Sequence, residues 1–122
     1  MLKKYNRLSS NRAYLATYNN NDIIYEDSII LYLGKTKTDP NCHTRVGFVV
    51  SKKIHKRATK RNRIKRLIRE CMRLNIKDNK YPNINNYQSL VFVTKSSIID
   101  KKYNDIKENI NNILNKLANK NI

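Results

Sequence analysis

The chain has 122 residues, room for one domain and too little for two ordinary ones. Its 26 Lys+Arg against 9 Asp+Glu leave a formal charge of +17, self-repulsive in a compact fold unless a polyanion offsets it. A hydrophobic fraction of 39% still supports a small core and excludes a disordered basic tail, while the longest apolar run, near Leu90–Val93, is too short for a membrane-spanning helix or a secretory leader.

From Met1 to Leu8 the chain is basic and irregular. Ser9, Ser10 and Asn11 offer N-caps for a short helix over Arg12–Tyr18, in which Tyr14 and Tyr18 share a face at i, i+4. Asn19, Asn20 and Asn21 end it, because asparagine tolerates the left-handed conformation. Strands are expected at Ile23–Tyr25 and Ser28–Leu33, the second placing Ile29, Leu31 and Leu33 on one face and Ile30, Tyr32 and Gly34 on the other. Gly34–Thr44 reads as a loop around Asp39-Pro40-Asn41, and Arg45–Ser51 as a third strand whose Gly47 marks a bulge or a close approach. From Ala58 a helix carries the stripe Ile64, Leu67, Ile68, Cys71 and Asn75, with Asn62, Lys65, Arg66, Arg69 and Arg73 opposite and Arg61 and Arg63 flanking. Asn75–Gln88 reads as a polar loop around Pro82, and Ser89–Lys95 as a fourth strand. A last helix is expected from an N-cap at Asp100 to Leu117, striped by Tyr103, Ile106, Ile110, Ile113, Leu114 and Leu117. The order is α-β-β-β-α-β-α in one compact domain over residues 1–122, and packing both amphipathic helices on one mixed sheet gives an α+β fold.

A solvated helix face ordinarily mixes charges, since i, i+4 Glu–Lys pairs support a helix and like pairs oppose it. Between Lys60 and Arg73 the only acid is Glu70. The pairs Lys65–Arg69 and Arg69–Arg73 each cost roughly 0.2–0.5 kcal/mol. Such a face is suited to phosphate, and its arginines bind phosphate bidentately and stack on bases. A lone helix preceded by a strand is neither a helix-turn-helix nor a basic zipper. Single-stranded RNA stacks on aromatics beside basic grooves, and Tyr14, Tyr18 and Tyr32 are candidates for that stacking, core packing being the alternative for each.

Catalysis by the protein itself lacks a constellation. The nine acids are scattered, the adjacent Glu26 and Asp27 point to opposite faces of a strand, and no phosphate loop or GxSxG occurs. Cys42 and Cys71 make no C-x-x-C, and His43 and His55 are poorly placed to complete a zinc site, so reduced cytosolic thiols are expected. The abundant asparagine and isoleucine follow a codon bias better than a function.

At Arg45-Val46-Gly47, Ser51-Lys52-Lys53 and above all Arg61-Asn62-Arg63-Ile64-Lys65-Arg66-Leu67-Ile68-Arg69-Glu70, the chain closely resembles the protein subunit of bacterial ribonuclease P, along its whole length. The resemblance implies a ribosomal-protein-like α-β-β-β-α-β-α sandwich with a left-handed β-α-β crossover, the handedness that is otherwise rare. It implies that Arg61, Asn62, Arg63, Lys65, Arg66, Arg69 and Arg73, with Lys52 and Lys53, contact the catalytic RNA subunit. Tyr14, Tyr18 and Tyr32 match the aromatic positions of a cleft that receives the 5′ leader of precursor tRNA. Hydrolysis in that family belongs to the RNA with Mg2+, the protein acting in the cytoplasm as a cofactor that needs no protein partner and no membrane. Two departures stand out: Asn21 replaces a glycine after the first helix, and His55-Lys56-Arg57 replaces a glycine-bearing loop before the basic helix. A ribosomal-type structural RNA-binding protein and a protein-only nuclease are the rival readings.

Overall fold

The computed structural model describes residues 6–39, 43–50, 57–78 and 81–120. Helix α1 (Asn11–Asn19) is followed by strands β1 (Asp22–Glu26), β2 (Ile29–Leu33) and β3 (Arg45–Val49), then helix α2 (Ala58–Lys77), strand β4 (Ser89–Thr94) and helix α3 (Tyr103–Lys120). The sheet order is β1-β2-β4-β3, antiparallel except for the β3–β4 pair, which is parallel and joined through α2. The expected α+β fold and element order are therefore present.

Period-2 alternation divides the sheet into two faces. Leu31, Phe92 and Phe48 form one cross-strand row, Leu33, Leu90 and Val46 another, and all are buried beneath α2 and α3. Against them α2 sets Ile64, Ile68, Cys71 and Met72, and α3 sets Ile106, Ile110, Ile113, Leu114 and Leu117. The expected α2 stripe holds, except that Leu67 is half-buried and Met72, absent from it, is fully buried. Asn75 closes this stripe with a polar contact, its Nδ2 donating to Asn111 Oδ1 at 3.4 Å.

Helix α1 lies on the other face, over β2 and β4. The hydroxyls of Thr17 and Ser89 meet at 2.5 Å, and Asn20 Nδ2 donates to the Leu33 carbonyl at 3.1 Å. Asn21 leaves the helix at φ 54°, the left-handed conformation that its asparagine was expected to supply. Ser10 occupies the N-cap position without a side-chain capping bond. Residues before α1 are also tied down: Arg7 forms a parallel bridge with Val46, and Leu8 N donates to the Val46 carbonyl at 3.0 Å.

Two expectations need correction. The supposed polar loop around Pro82 contains a 3-10 helix, Pro82–Asn86, flanked by Tyr81 and Tyr87, and Tyr81, Ile84 and Tyr87 are buried in the core. Three apolar residues three apart suit a 3-10 turn, whose side chains eclipse at that period. Asp100 is not the N-cap of the last helix. It ends a second 3-10 helix, Ser96–Asp100, and α3 begins at Tyr103, where Asp105 Oδ2 accepts the Lys102 backbone N–H at 3.3 Å. That bond is half of a capping box, made by the acid three residues further on.

Candidate RNA interface

Gly47 explains how α1 seats on the sheet. A Cβ built there would stand 2.5 Å from the Tyr14 hydroxyl oxygen and 2.6 Å from its ring carbons, so the missing side chain is the space that the phenol fills. The strand register around Gly47 is continuous, so the close approach is the correct reading of this residue and a bulge is not. Tyr14 Oη donates to the Leu8 carbonyl at 3.3 Å. One turn later, Tyr18 meets Tyr32 edge to face, with ring centroids 4.8 Å apart and planes at 79°. Burial raises the pKa of both helix phenols, outweighing the lowering influence of the Arg69 cation at Tyr14 and reinforced by Tyr14 and Tyr32 at Tyr18, so both stay protonated near neutrality.

Beside these rings runs a groove of about 560 Å³, bounded by Asn11, Tyr14, Leu15 and Tyr18 of α1, by Phe48, Val49 and Val50, and by Lys65 of α2. Leu15, 59% exposed, overhangs its outer edge. The groove thus combines phenol faces and aliphatic walls with an ammonium group on one side. That combination fits a single strand, whose bases stack and whose backbone seeks cations.

Helix α2 supplies the second surface. Asn62, Arg63, Arg66 and Arg69 are exposed, and Arg61, Lys65 and Arg73 are partly so. Arg63, Arg66, Leu67, Arg69 and Glu70 rim a hollow of about 500 Å³. Arg69 also lies over the Phe48 ring, 5.8 Å from its centroid, which carries the basic face round to the groove wall. Arg73 is partly committed elsewhere: Nη2 and Nε donate to the Glu70 carboxylate at 2.5 and 3.1 Å, and this pairing depresses the Glu70 pKa. The N-cap of α2 is Arg57 and its first turn contains no acid, only Lys60 and Arg61. Cations at that end oppose the helix macrodipole, an arrangement that a bound phosphate reverses.

The structure therefore gathers Tyr14, Tyr18 and Tyr32 on one face of the sheet, where spacing alone paired only Tyr14 with Tyr18, and places Lys65 and Arg69 where groove and basic face join. Lys52, Lys53 and His55 lie outside the described residues. Sequence reasoning missed Leu15, Val49 and Phe48 as groove walls. A β-branched, aromatic strand signals burial, not which of its members stay at the rim. Among the described residues no group of three or more His, Cys, Asp and Glu could hold a metal ion.

Comparison with known proteins decides the family. A family model described as Ribonuclease P matches residues 2–118. The chain belongs to the ribonuclease P protein family. The ribonuclease P protein component of Clostridium botulinum (strain Loch Maree / Type A3) is 38% identical over 114 residues, covering 93% of this chain and 95% of the relative. That of Fusobacterium nucleatum is 37% identical over 112 residues, covering 88% and 93%. The fold is that of the Staphylococcus aureus RNase P protein, with a TM-score of 0.74 at 24% identity over 93% of this chain and 94% of that one. The Thermotoga maritima RNase P protein also gives 0.74, at 23% identity over 90% and 96%. As a member of this family, the chain is a protein subunit of an endoribonuclease, ribonuclease P.

Proposed function

We propose that residues 1–122 act as one RNA-binding domain with two working surfaces. The basic face of α2, comprising Arg61, Asn62, Arg63, Lys65, Arg66, Arg69 and Arg73, holds the catalytic RNA subunit together with Lys52 and Lys53. The groove between α1 and β3, with Tyr14, Tyr18 and Tyr32, receives the 5′ leader of precursor tRNA. The observation that carries this reading is the seam between the surfaces: Lys65 lines the groove while Arg63 and Arg66 stand on the same helix beyond it. One rigid helix then touches both RNAs and sets their spacing.

Mg2+ is assigned to the RNA subunit, as the family resemblance implies, where it would supply the activated water and leaving-group stabilisation for phosphodiester hydrolysis. The protein's own residues position RNA: guanidinium and ammonium groups neutralise phosphates, and the phenols stack bases without reading them. No helix among the described residues is long and apolar enough to cross a membrane. The proposal adds cytoplasmic action on tRNA with no further protein partner, as the resemblance implies.

The test is cleavage of a precursor tRNA by a bacterial ribonuclease P RNA at low Mg2+, with and without the protein. Strong stimulation at the mature 5′ end is expected. Tight RNA binding without stimulation would favour the ribosomal-type reading instead.

A further inference from the structure

We infer that Tyr25 and Lys95 form a distal stacking platform that extends the leader track past the groove and across the sheet to its β1 edge; this rests on the groove being the leader site. Tyr25 is 59% exposed, a large aromatic on a strand whose neighbours are mostly half-buried. The register pairs it with Ile30, Ile30 with Val93 and Val93 with Val49, a single cross-strand row through all four strands. Paired residues share a face, and this row adjoins the one containing Tyr32 and Gly47, so it lies on the α1 side. Val49 is already a wall of the groove. An apolar strip therefore leads from that wall to Tyr25 without leaving the sheet.

The chemistry along the strip suits a nucleic-acid strand. Tyr25 and Tyr32 are diagonal cross-strand neighbours, about 7–8 Å apart at that spacing and within reach of each other's aromatic side chains. Lys95 Nζ stands 5.9 Å from the Tyr25 ring centroid, bringing a cation to the outer end of the strip. The two acids nearest this end do not oppose an anion: Asp27 is bound by Lys101 at 2.9 Å, and Glu26 by Lys116 at 2.7 Å. An exposed phenol with a cation at its face and aliphatic neighbours stacks any base, so the platform is sequence-tolerant. It adds affinity only for leaders long enough to reach it.

The experiment measures the affinity of the assembled holoenzyme for precursor tRNAs whose leaders lengthen one nucleotide at a time. With unsubstituted protein, affinity should continue to rise beyond the length at which Tyr25→Ala reaches a plateau, the long-to-short ratio falling by about fivefold in the variant. Tyr25→Phe should restore the ratio, because stacking needs no hydroxyl, and Lys95→Ala should reduce the salt slope for long leaders alone. A Tyr25→Ala profile superimposable on the unsubstituted one overturns the platform, as does an equal loss with mature tRNA. Tyr14→Ala run in parallel separates the two readings: a leader-dependent loss there keeps the groove whatever Tyr25 does, and its absence removes groove and platform together.

Discussion

Gly47 and Tyr14 are a matched pair, and each constrains the other. Gly47→Ala drives a methyl group into the phenol, an overpacking change that costs about 1–3 kcal/mol and swings Tyr14 out of its seat. The expected outcome is a loss of affinity for leader-bearing precursor that exceeds the loss for mature tRNA, measured with both RNAs on the same holoenzyme. Equal losses would mean that Tyr14 does not touch the leader. Asn21 is constrained through its backbone instead. At φ 54° an alanine pays the Cβ clash that asparagine offsets with its short polar side chain, so Asn21→Ala should lower unfolding free energy by about 1 kcal/mol while Asn21→Gly should not. Denaturant titration of the two variants checks this.

At the scale of elements, α2 has one face for the core and one proposed for RNA, and substitutions should separate them. Ile68, fully buried, should cost about 2–5 kcal/mol of stability on truncation to alanine. Arg61→Ala with Arg63→Ala should instead weaken assembly with the RNA subunit and reduce the salt slope by about one per lost phosphate contact, with the apolar face left intact. Affinity titrations at several salt concentrations, beside a thermal melt, distinguish the two outcomes. The β1–β2 turn depends on pH. Lys101 donates to Asp27 and holds its pKa below the ordinary 3.8, so the stabilisation is complete above that value and is lost as pH falls through the depressed one. Asp27→Asn should therefore flatten the acid limb of a thermal-stability profile below pH 4 and leave its course above pH 5 unchanged in shape.

These elements also show what a sequence can reveal. The stripes of α2 and α3 and the alternation of β2 are periodic, so their buried faces were legible from spacing alone, as was the pairing of Tyr14 and Tyr18 on one helix face. The segment from Tyr81 to Tyr87 was not: its three asparagines and its proline read as a turn, and a period of three over one turn is too brief to stand out from a loop. The start of α3 was misplaced because Asp100 has a capping side chain, whereas Asp105 reaches back from within the helix. Seating α1 on Gly47 and Ser89 depends on contacts between residues far apart in the chain. No local pattern records them.

Over the whole molecule the charge is polarised across the sheet. β3 and α2 form the basic edge, whereas at the β1 edge Glu26 and Asp27 are paired with Lys116 and Lys101. A molecule of +17 built this way is oriented by a polyanion before contact and relieved of self-repulsion after it. Its melting temperature should rise with RNA concentration by mass action, about 2.7 kcal/mol of added stability at a hundredfold excess over Kd. Sulfate should raise it more than chloride at equal ionic strength. A melt indifferent to both would show that the basic face binds no anions.

The hydroxyl contact between Thr17 and Ser89, with the Asn20 tie to Leu33 at one end of α1 and Tyr14 wedged at Gly47 towards the other, leaves the helix no hinge. The groove beside it is therefore built with its α1 wall already fixed to the sheet. If it is the leader site proposed above, it takes a strand already slack enough to bend, so a 5′ extension folded into a hairpin should bind more slowly than an unstructured one, at a rate that tracks its own melting.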